Sequence, residues 1–281
     1  MTKRKVLVTG AAGVIAGQVL PALRGRYDLT LLDVRTADRR GNLVEGVQAA
    51  NLVNRKRDAY RHHFQGIDTV VHFGFIRNDR SQSDVHFWDE LDNVQMAYNI
   101  YQTSLEEDVK RVVVASSNHA ADYYESLILD GKLDFVDPNG RAQSDNFYGW
   151  AKEAYEHLGF VFATGRQTGK PLENVQIRIG GPRETDVANC PLGDLRCMRR
   201  ALAVYISDRD MQQLFIKSIE TEDIHNEQEV PFQIFYGISN NSHAFWSIAN
   251  ARRVIGYEPQ DNSEIRFIDL IAKHIKAASG K

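Results

Sequence analysis

The chain has 281 residues, enough for one large α/β domain or a nucleotide domain with a small appendage, and its apolar (43%) and charged (25%) fractions are ordinary. A net charge of −3 leaves no electrostatic footprint for nucleic acid or an anionic membrane. No apolar run approaches the ~20 residues of a membrane span. Gly10–Gly13 interrupts the apolar stretch that follows the basic start, so no signal peptide is expected and the location is read as cytoplasmic. Cys190 and Cys197 lack C-x-x-C spacing and metal-framework partners, which predicts reduced structural thiols and no metal.

Lys5–Thr9 reads as a short buried strand, and Gly10 and Gly13 then turn directly into an apolar helical pattern. In that order a glycine-rich turn implies dinucleotide binding: Gly10 permits the tight turn and Gly13 a close approach to pyrophosphate, which rests on the N–H groups of the helix start. The spacing is G-x-x-G-x-x-A/G, with Ala16 in the third slot and Gly17 after it. Pro21 falls inside this helix and predicts a kink. Strand-like runs follow at Leu29–Leu32, Thr69–Phe73, Arg111–Ser116 and Val175–Ile179, with helical stretches at Phe87–Glu107 and Tyr148–Arg166 between them. This alternation predicts an α/β fold, a Rossmann-type doubly wound parallel sheet with ligands at the carboxyl ends of its strands.

Beyond Ile179 the alternation fails. Pro182–Arg199 reads as a long loop, Asp208–Ile219 as a helix and Pro231–Ile238 as a strand. Ser247 is expected to cap a helix that Gly256 ends. The tail is too short for an independent domain. The expected organisation is therefore one nucleotide-binding domain over 1–281, with 180–281 contributing a substrate cap.

Asp33 ends the second strand about 20 residues beyond the glycine turn, where a carboxylate accepts ribose hydroxyls and repels a 2′-phosphate. NAD is favoured over NADP, although Arg35 next to it is the kind of residue that accommodates NADP. Tyr148-Gly-Trp-Ala-Lys152 is Y-x-x-x-K, which on a helix puts phenol and ammonium on one face. A tyrosine at its usual pKa of ~10 is a poor base, and an adjacent cation lowers that value. Ser116 and Ser117 precede Asn118-His119 at the end of the strand Arg111–Ser116, where a hydroxyl holds a substrate oxygen while Tyr148 takes its proton. Ser117 is the expected catalytic serine, with Ser116 able to substitute. Lys152 both tunes the phenol and grips a cofactor ribose.

These features, with Ile177-Arg-Ile-Gly180, Tyr205-Ile-Ser-Asp-Arg-Asp210, Tyr236-Gly-Ile-Ser239 and Gly256-Tyr-x-Pro259-Gln-Asp261, span nearly the whole chain in order. Together they resemble an extended or atypical short-chain dehydrogenase/reductase, of the NAD-dependent epimerase/dehydratase superfamily. Within it the chain is similar to the uronate dehydrogenase group and archaeal NAD-dependent sugar dehydrogenases of glucose-6-phosphate type. The resemblance implies oxidation of a sugar's C1 hydroxyl to a lactone, with hydride passing to NAD and Ser117, Tyr148 and Lys152 catalytic. It implies a substrate site of Ser117, Asn118, His119, Tyr148, Gly181 and Arg200. Arg200, five residues before Tyr205, takes the place of the family arginine that binds an anionic group. Gly181 stands where uronate dehydrogenases have a serine, and Asp186–Arg199 is longer than in that group.

The implied cofactor set is Gly10, Ala12, Gly13, Val14, Ile15, Asp33, Asn51 (an aspartate in relatives), Leu52, the loop Phe73-Gly74-Phe75, Asn93 bracing that loop, Ser116, Tyr148, Lys152 and Ile179. His72 is expected beside the loop. Relatives commonly pair through the helices flanking the site, which implies a homodimer or higher homo-oligomer. Two other readings stay open: a nucleotide-sugar epimerase or dehydratase, which usually carries a longer C-terminal region, and a catalytically silent NAD-binding regulator, which has no need of an intact Ser-Tyr-Lys set. Whether the sugar is a uronate, an aldose or a sugar phosphate is open at this stage.

Overall fold

In the computed structural model, which describes residues 3–76 and 83–280, seven strands form one parallel sheet in the order β3-β2-β1-β4-β5-β6-β7. The strands are β1 (Lys5–Thr9), β2 (Asp28–Asp33), β3 (Val47–Ala49), β4 (Thr69–His72), β5 (Arg111–Ser117), β6 (Glu173–Ile179) and β7 (Phe232–Gly237). Period-two alternation divides β1, β2, β4 and β5 between two cores, as a sheet covered on both faces requires, whereas β6 turns Val175, Ile177 and Ile179 to one core and alternates them with buried polar Asn174, Gln176 and Arg178. Val6 and Val8 of β1 and Val113 of β5 pack on one face, with α1 (Val14–Leu23) and α7 (Asp208–Glu220). Leu7, Val112 and Val114 pack on the other, with α2 (Ser83–Glu106) and α4 (Phe147–Thr164).

Sheet order reverses beside β1, whose neighbours are β2 on one side and β4 on the other. That reversal opens a crevice at the strands' carboxyl ends. The Phe73 amide donates to the Thr9 carbonyl (2.9 Å), so the loops leaving β1 and β4 run side by side at its floor. Pro21 does lie inside α1.

The chain beyond Gly180 divides its work. α7 and β7 extend the main layers, and α7 is tied to α1 by Gln212 donating to the Gln18 carbonyl (2.7 Å). α8 (Ala249–Ile255) ends at Gly256, which takes φ 64° as the expected helix-stop glycine. Its N-cap position is held by Ile248, which makes no side-chain cap, and Ser247 Oγ only accepts a long 3.4 Å bond from the Ala249 amide.

The segment expected as a loop, 182–199, instead holds α5 (Glu184–Ala188) and the start of α6 (Leu195–Val204), the latter capped by Asp194. Pro182 falls before α5, and Pro191 and Gly193 between α5 and α6, none of them inside a helix, which is how breaker residues concealed two short helices. α5 and α6 share a small core of their own, Val187, Cys190, Met198, Ala201 and Leu202, against Phe267, Leu270 and Ile271. Those last residues follow α9 (Ser263–Arg266) into α10 (Ile268–Ala278). Cys190 and Cys197 are not free thiols: a disulfide joins them across the α5–α6 connection. Nothing in their spacing marks them, because pairing depends on α5 folding back against α6. The remaining helix, α3 (Tyr123–Leu129), lies between β5 and α4 in sequence. Among the described residues no helix is long and apolar enough to cross a membrane, and no His, Cys, Asp or Glu cluster forms a metal site.

Candidate active site

The crevice at the strand ends is a cleft of about 1170 Å³, running from Arg35 and Asn51 at one end to Arg183 and Arg200 at the other. Its floor is the glycine turn. Gly10 takes φ 69°, and a Cβ built on it would stand 2.5 Å from the Gly74 amide nitrogen. Only glycine satisfies both the left-handed backbone and the close approach. The Gly13 amide closes the turn on the Gly10 carbonyl (2.9 Å), and α1 begins at the next residue, aiming free amides into the cleft. Asp33 stands beside the turn: its Oδ2 accepts the Ala12 amide (3.0 Å) and its Oδ1 the Arg35 amide (3.1 Å).

The expected cofactor residues converge, with two exceptions. Gly10, Gly13, Val14, Ile15, Asp33, Asn51, Leu52, Phe73, Gly74, Phe75, Ser116, Tyr148, Lys152 and Ile179 all line the cleft. Ala12 does not; it is buried, and its amide is given to Asp33. Asn93 is also buried behind the wall. Its Oδ1 accepts the Ile76 amide (2.8 Å) and its Nδ2 donates to the Ile76 carbonyl (3.2 Å), so it braces the end of the Phe73–Phe75 loop. His72 lies under the same loop with Nδ1 2.7 Å from Thr9 Oγ1. Burial, helped by the Lys152 charge, pushes this imidazole down to about 3, so it is neutral.

Tyr148 and Lys152 occupy one face of α4, as the spacing predicts. Lys152 is buried, donates to the Ala115 carbonyl (3.1 Å), and holds its ammonium 5.4 Å from the Tyr148 ring and 5.1 Å from Phe75. Phe75 and His119 each meet the Tyr148 ring edge-on, at 5.3 and 5.5 Å. Tyr155 also lies 4.9 Å from the ammonium, but burial pushes its phenol well above the ordinary range. Only Tyr148 of the two reaches the cleft.

The second residue of Tyr148-Gly149 has a packing reason. A Cβ on Gly149 would fall 2.1 Å from the His119 carbonyl oxygen, so α4 begins flush against the turn Asn118–Ala121. Asn146 caps α4 by accepting the Gly149 amide (3.0 Å) and donates to Asp122 (2.8 Å), which in turn holds His119 Nδ1 at 2.7 Å. Burial would raise the Asp122 carboxyl, but hydrogen bonds from His119, Ser144 and Asn146 outweigh it and hold the group low, as the anion.

The two serines part company. Ser117 Oγ accepts the His119 amide (3.2 Å) at the cleft wall, whereas Ser116 Oγ donates to Glu156 (2.5 Å). Glu156 is buried and paired with buried Arg178, which donates to it at 2.7–3.2 Å and to the Tyr236 hydroxyl at 2.9 Å. Burial opposes the Arg178 charge, but the Glu156 carboxylate more than restores it. The Ser116 hydroxyl hydrogen is thus already given to Glu156, although Ser116 also lines the cleft. This network was missed, yet it had two signals: Glu156 continues the Tyr148, Lys152 face by i+4, and a charged Arg178 between isoleucines of a central strand demands a partner.

At the far end, Asn118, His119, Gly181 and Arg200 meet as expected, joined by Arg183 and Asp186. Gly181 offers no side chain, and its amide donates to the Val204 carbonyl (2.7 Å), stitching the end of β6 to α6. Arg200 carries its own counter-ion, Glu125 of α3, which the sequence did not single out.

Residues 6–165 match the model of the NAD dependent epimerase/dehydratase family. The chain belongs to that family. The chain is similar to the L-arabinose 1-dehydrogenase (NAD(P)(+)) of Haloferax volcanii, 28% identical over 92% of this chain and 97% of that one. The uronate dehydrogenase of Pseudomonas syringae pv. tomato is 26% identical over 93% and 83%. In fold, the epimerase/dehydratase chain resembles the uronate dehydrogenase of Agrobacterium tumefaciens, with a TM-score of 0.75 at 24% identity, covering 97% and 90%. The family cofactor, NAD, suits the cleft: the glycine turn leaves no Cβ where pyrophosphate must approach, and Asp33 supplies carboxylate oxygens beside it.

Proposed function

We propose that this protein is an NAD-linked dehydrogenase that oxidises the C1 hydroxyl of a cyclic sugar to a lactone. The observation that carries the reading is that Tyr148, Lys152 and Ser117 line the same cleft as the glycine turn, with the Lys152 ammonium 5.4 Å from the Tyr148 ring. The turn at Gly10, Gly13, Val14 and Ile15, Asp33 and Asn51, and the Phe73–Phe75 loop would hold NAD, which when bound accepts the hydride. Ser117 and Tyr148 take the C1 oxygen between them. Tyr148 acts as the phenolate, a form the nearby Lys152 ammonium favours, and becomes a neutral phenol as it removes the proton from that oxygen. Loss of the proton raises electron density at C1, which favours departure of the hydride. Asn118 and His119 position the ring, and α5 and α6 cap it. His119 is itself aimed by Asp122 and Asn146.

The reading also includes pairing with a second copy, supported by Trp88 (58% exposed) and Trp150 (37%), which lie on the adjacent α2 and α4 with Phe87 stacked between the helices on Trp150 at 5.5 Å. Light scattering on the purified protein tests it. The chemistry is tested by absorbance of reduced nicotinamide with a panel of free sugars. Net NADH formation is expected; conversion of a sugar without net reduction would make it an epimerase.

A further inference from the structure

Arg200 stands where an anionic substrate group would be received, but its charge is already answered. Its Nε donates to Glu125 Oε2 (2.9 Å) and its Nη2 to Glu125 Oε1 (3.1 Å), a two-point fork, while Asn118 Nδ2 donates to the same Oε1 (3.0 Å). Glu125 is the less exposed partner, its side chain 15% accessible against 30% for Arg200, so the pair is held at the wall of the cleft. Among the described residues, the other charged side chains lining this end are Arg183 and Asp186, again one of each sign. The far end therefore offers, among the described residues, several hydrogen-bond donors and acceptors but no net positive charge. A uronate or sugar phosphate arriving there would lose water from its anion and meet a carboxylate beside the Arg200 guanidinium. A neutral ring bearing hydroxyl groups loses less and can use the remaining Nη hydrogens of Arg200 singly.

We infer that Glu125 sets the substrate class: by neutralising Arg200 it makes the protein select a neutral aldose, pentose or hexose, over a uronate or a sugar phosphate. The inference rests on the dehydrogenase reading only in taking this end of the cleft as the sugar site. Glu125 is a specificity-determining residue here, since it acts through Arg200 and Asn118.

The test uses the NADH-loaded protein and matched sugars of the gluco and galacto series that differ only at C6: absent, hydroxymethyl, carboxylate or phosphate ester. Calorimetry measures binding of the neutral lactones and their C6-carboxylate counterparts, and NADH formation measures turnover of the parent sugars. The unchanged protein should favour a neutral sugar over its uronate by at least ~10-fold in both. Glu125→Gln keeps the size and the hydrogen bond to Asn118 but removes the charge, and should shift the preference toward the anion by about 10- to 100-fold, in KM more than in kcat. Adding Arg200→Met to Glu125→Gln should abolish that gain, which a general loosening of the wall would not do. A preference of the unchanged protein for uronate or phosphate overturns the inference even if Glu125→Gln fails to fold. A Glu125→Gln ratio within twofold of the unchanged one also overturns it, as does absence of binding by every sugar. A neutral preference in binding that shifts in Glu125→Gln, with no NADH formed from any sugar, upholds the inference and removes the dehydrogenase reading instead.

Discussion

Gly10 and Gly74 touch backbone to backbone: a Cβ on Gly10 would lie 2.5 Å from the Gly74 nitrogen and 2.6 Å from the Phe73 carbonyl carbon. Two loops that must both face a cofactor are thereby fixed against each other before any ligand arrives. Gly10→Ala should fail twice over, since a left-handed alanine costs about 1–2 kcal/mol and the atoms it meets are main chain. We expect a lowered melting temperature and NAD binding weakened at least ~10-fold in a fluorescence titration. A variant with unchanged NAD affinity would show that the turn does not hold the pyrophosphate.

Tyr148 and Ser117 should separate from Ser116 in their effects. Tyr148→Phe is expected to keep NAD affinity and the melting temperature while turnover falls at least ~100-fold, the scale of general-base catalysis. Ser117→Ala should also slow turnover without unfolding. Ser116→Ala removes the hydroxyl from the buried Glu156–Arg178 pair, so its expected signature is reduced stability, by about 1–3 kcal/mol in urea unfolding. If Ser116→Ala matched Ser117→Ala in turnover at full stability, the division of labour between them would be wrong.

Asp33 anchors the cofactor end by a different logic. Its two oxygens accept the Ala12 and Arg35 amides, so one carboxylate both braces the glycine turn and puts negative charge where a 2′-phosphate would sit. NAD should exceed NADP in kcat/KM, and Asp33→Ala should narrow that ratio while weakening both cofactors. Better activity of the unchanged protein with NADP would mean that Arg35 and Arg39, which also line this end, govern the choice.

Six of the seven strands, the glycine turn and the Tyr148–Lys152 face were legible because each depends on local sequence: an apolar run for a buried strand, i+4 for one helix face, and a glycine at a strand end; β3, three residues that are largely exposed, carries no such run. What stayed hidden depends on contacts between distant segments. α5 has five residues, too few for periodicity to register, and the prolines and glycine around it read as loop. The Cys190–Cys197 bridge and the Glu125–Arg200 pair exist only because α6 packs back over its neighbours. Asn93 was placed correctly as a brace of the β4 loop, since an amide one helix away can serve both a carbonyl and an N–H of an irregular segment.

His72 ties the core of the site to pH. Its imidazole is fully enclosed beneath the Phe73–Phe75 loop, bonded to Thr9 and pushed from 6.5 down to about 3. The folded protein therefore keeps His72 neutral while the unfolded chain takes up a proton below pH 6.5, so the unfolded state binds more protons and stability falls as pH drops. The loss begins near 6.5 and continues toward 3. Between pH 7 and pH 5 this one group should remove about 2 kcal/mol. His72→Asn retains a polar partner for Thr9 but cannot titrate. It should be less stable at pH 7, because of the space left beside Gly74, yet lose less stability on acidification. Urea unfolding of both proteins at pH 7 and 5 checks this. Parallel losses would mean that His72 is protonated in the folded state and that the loop above it opens to water.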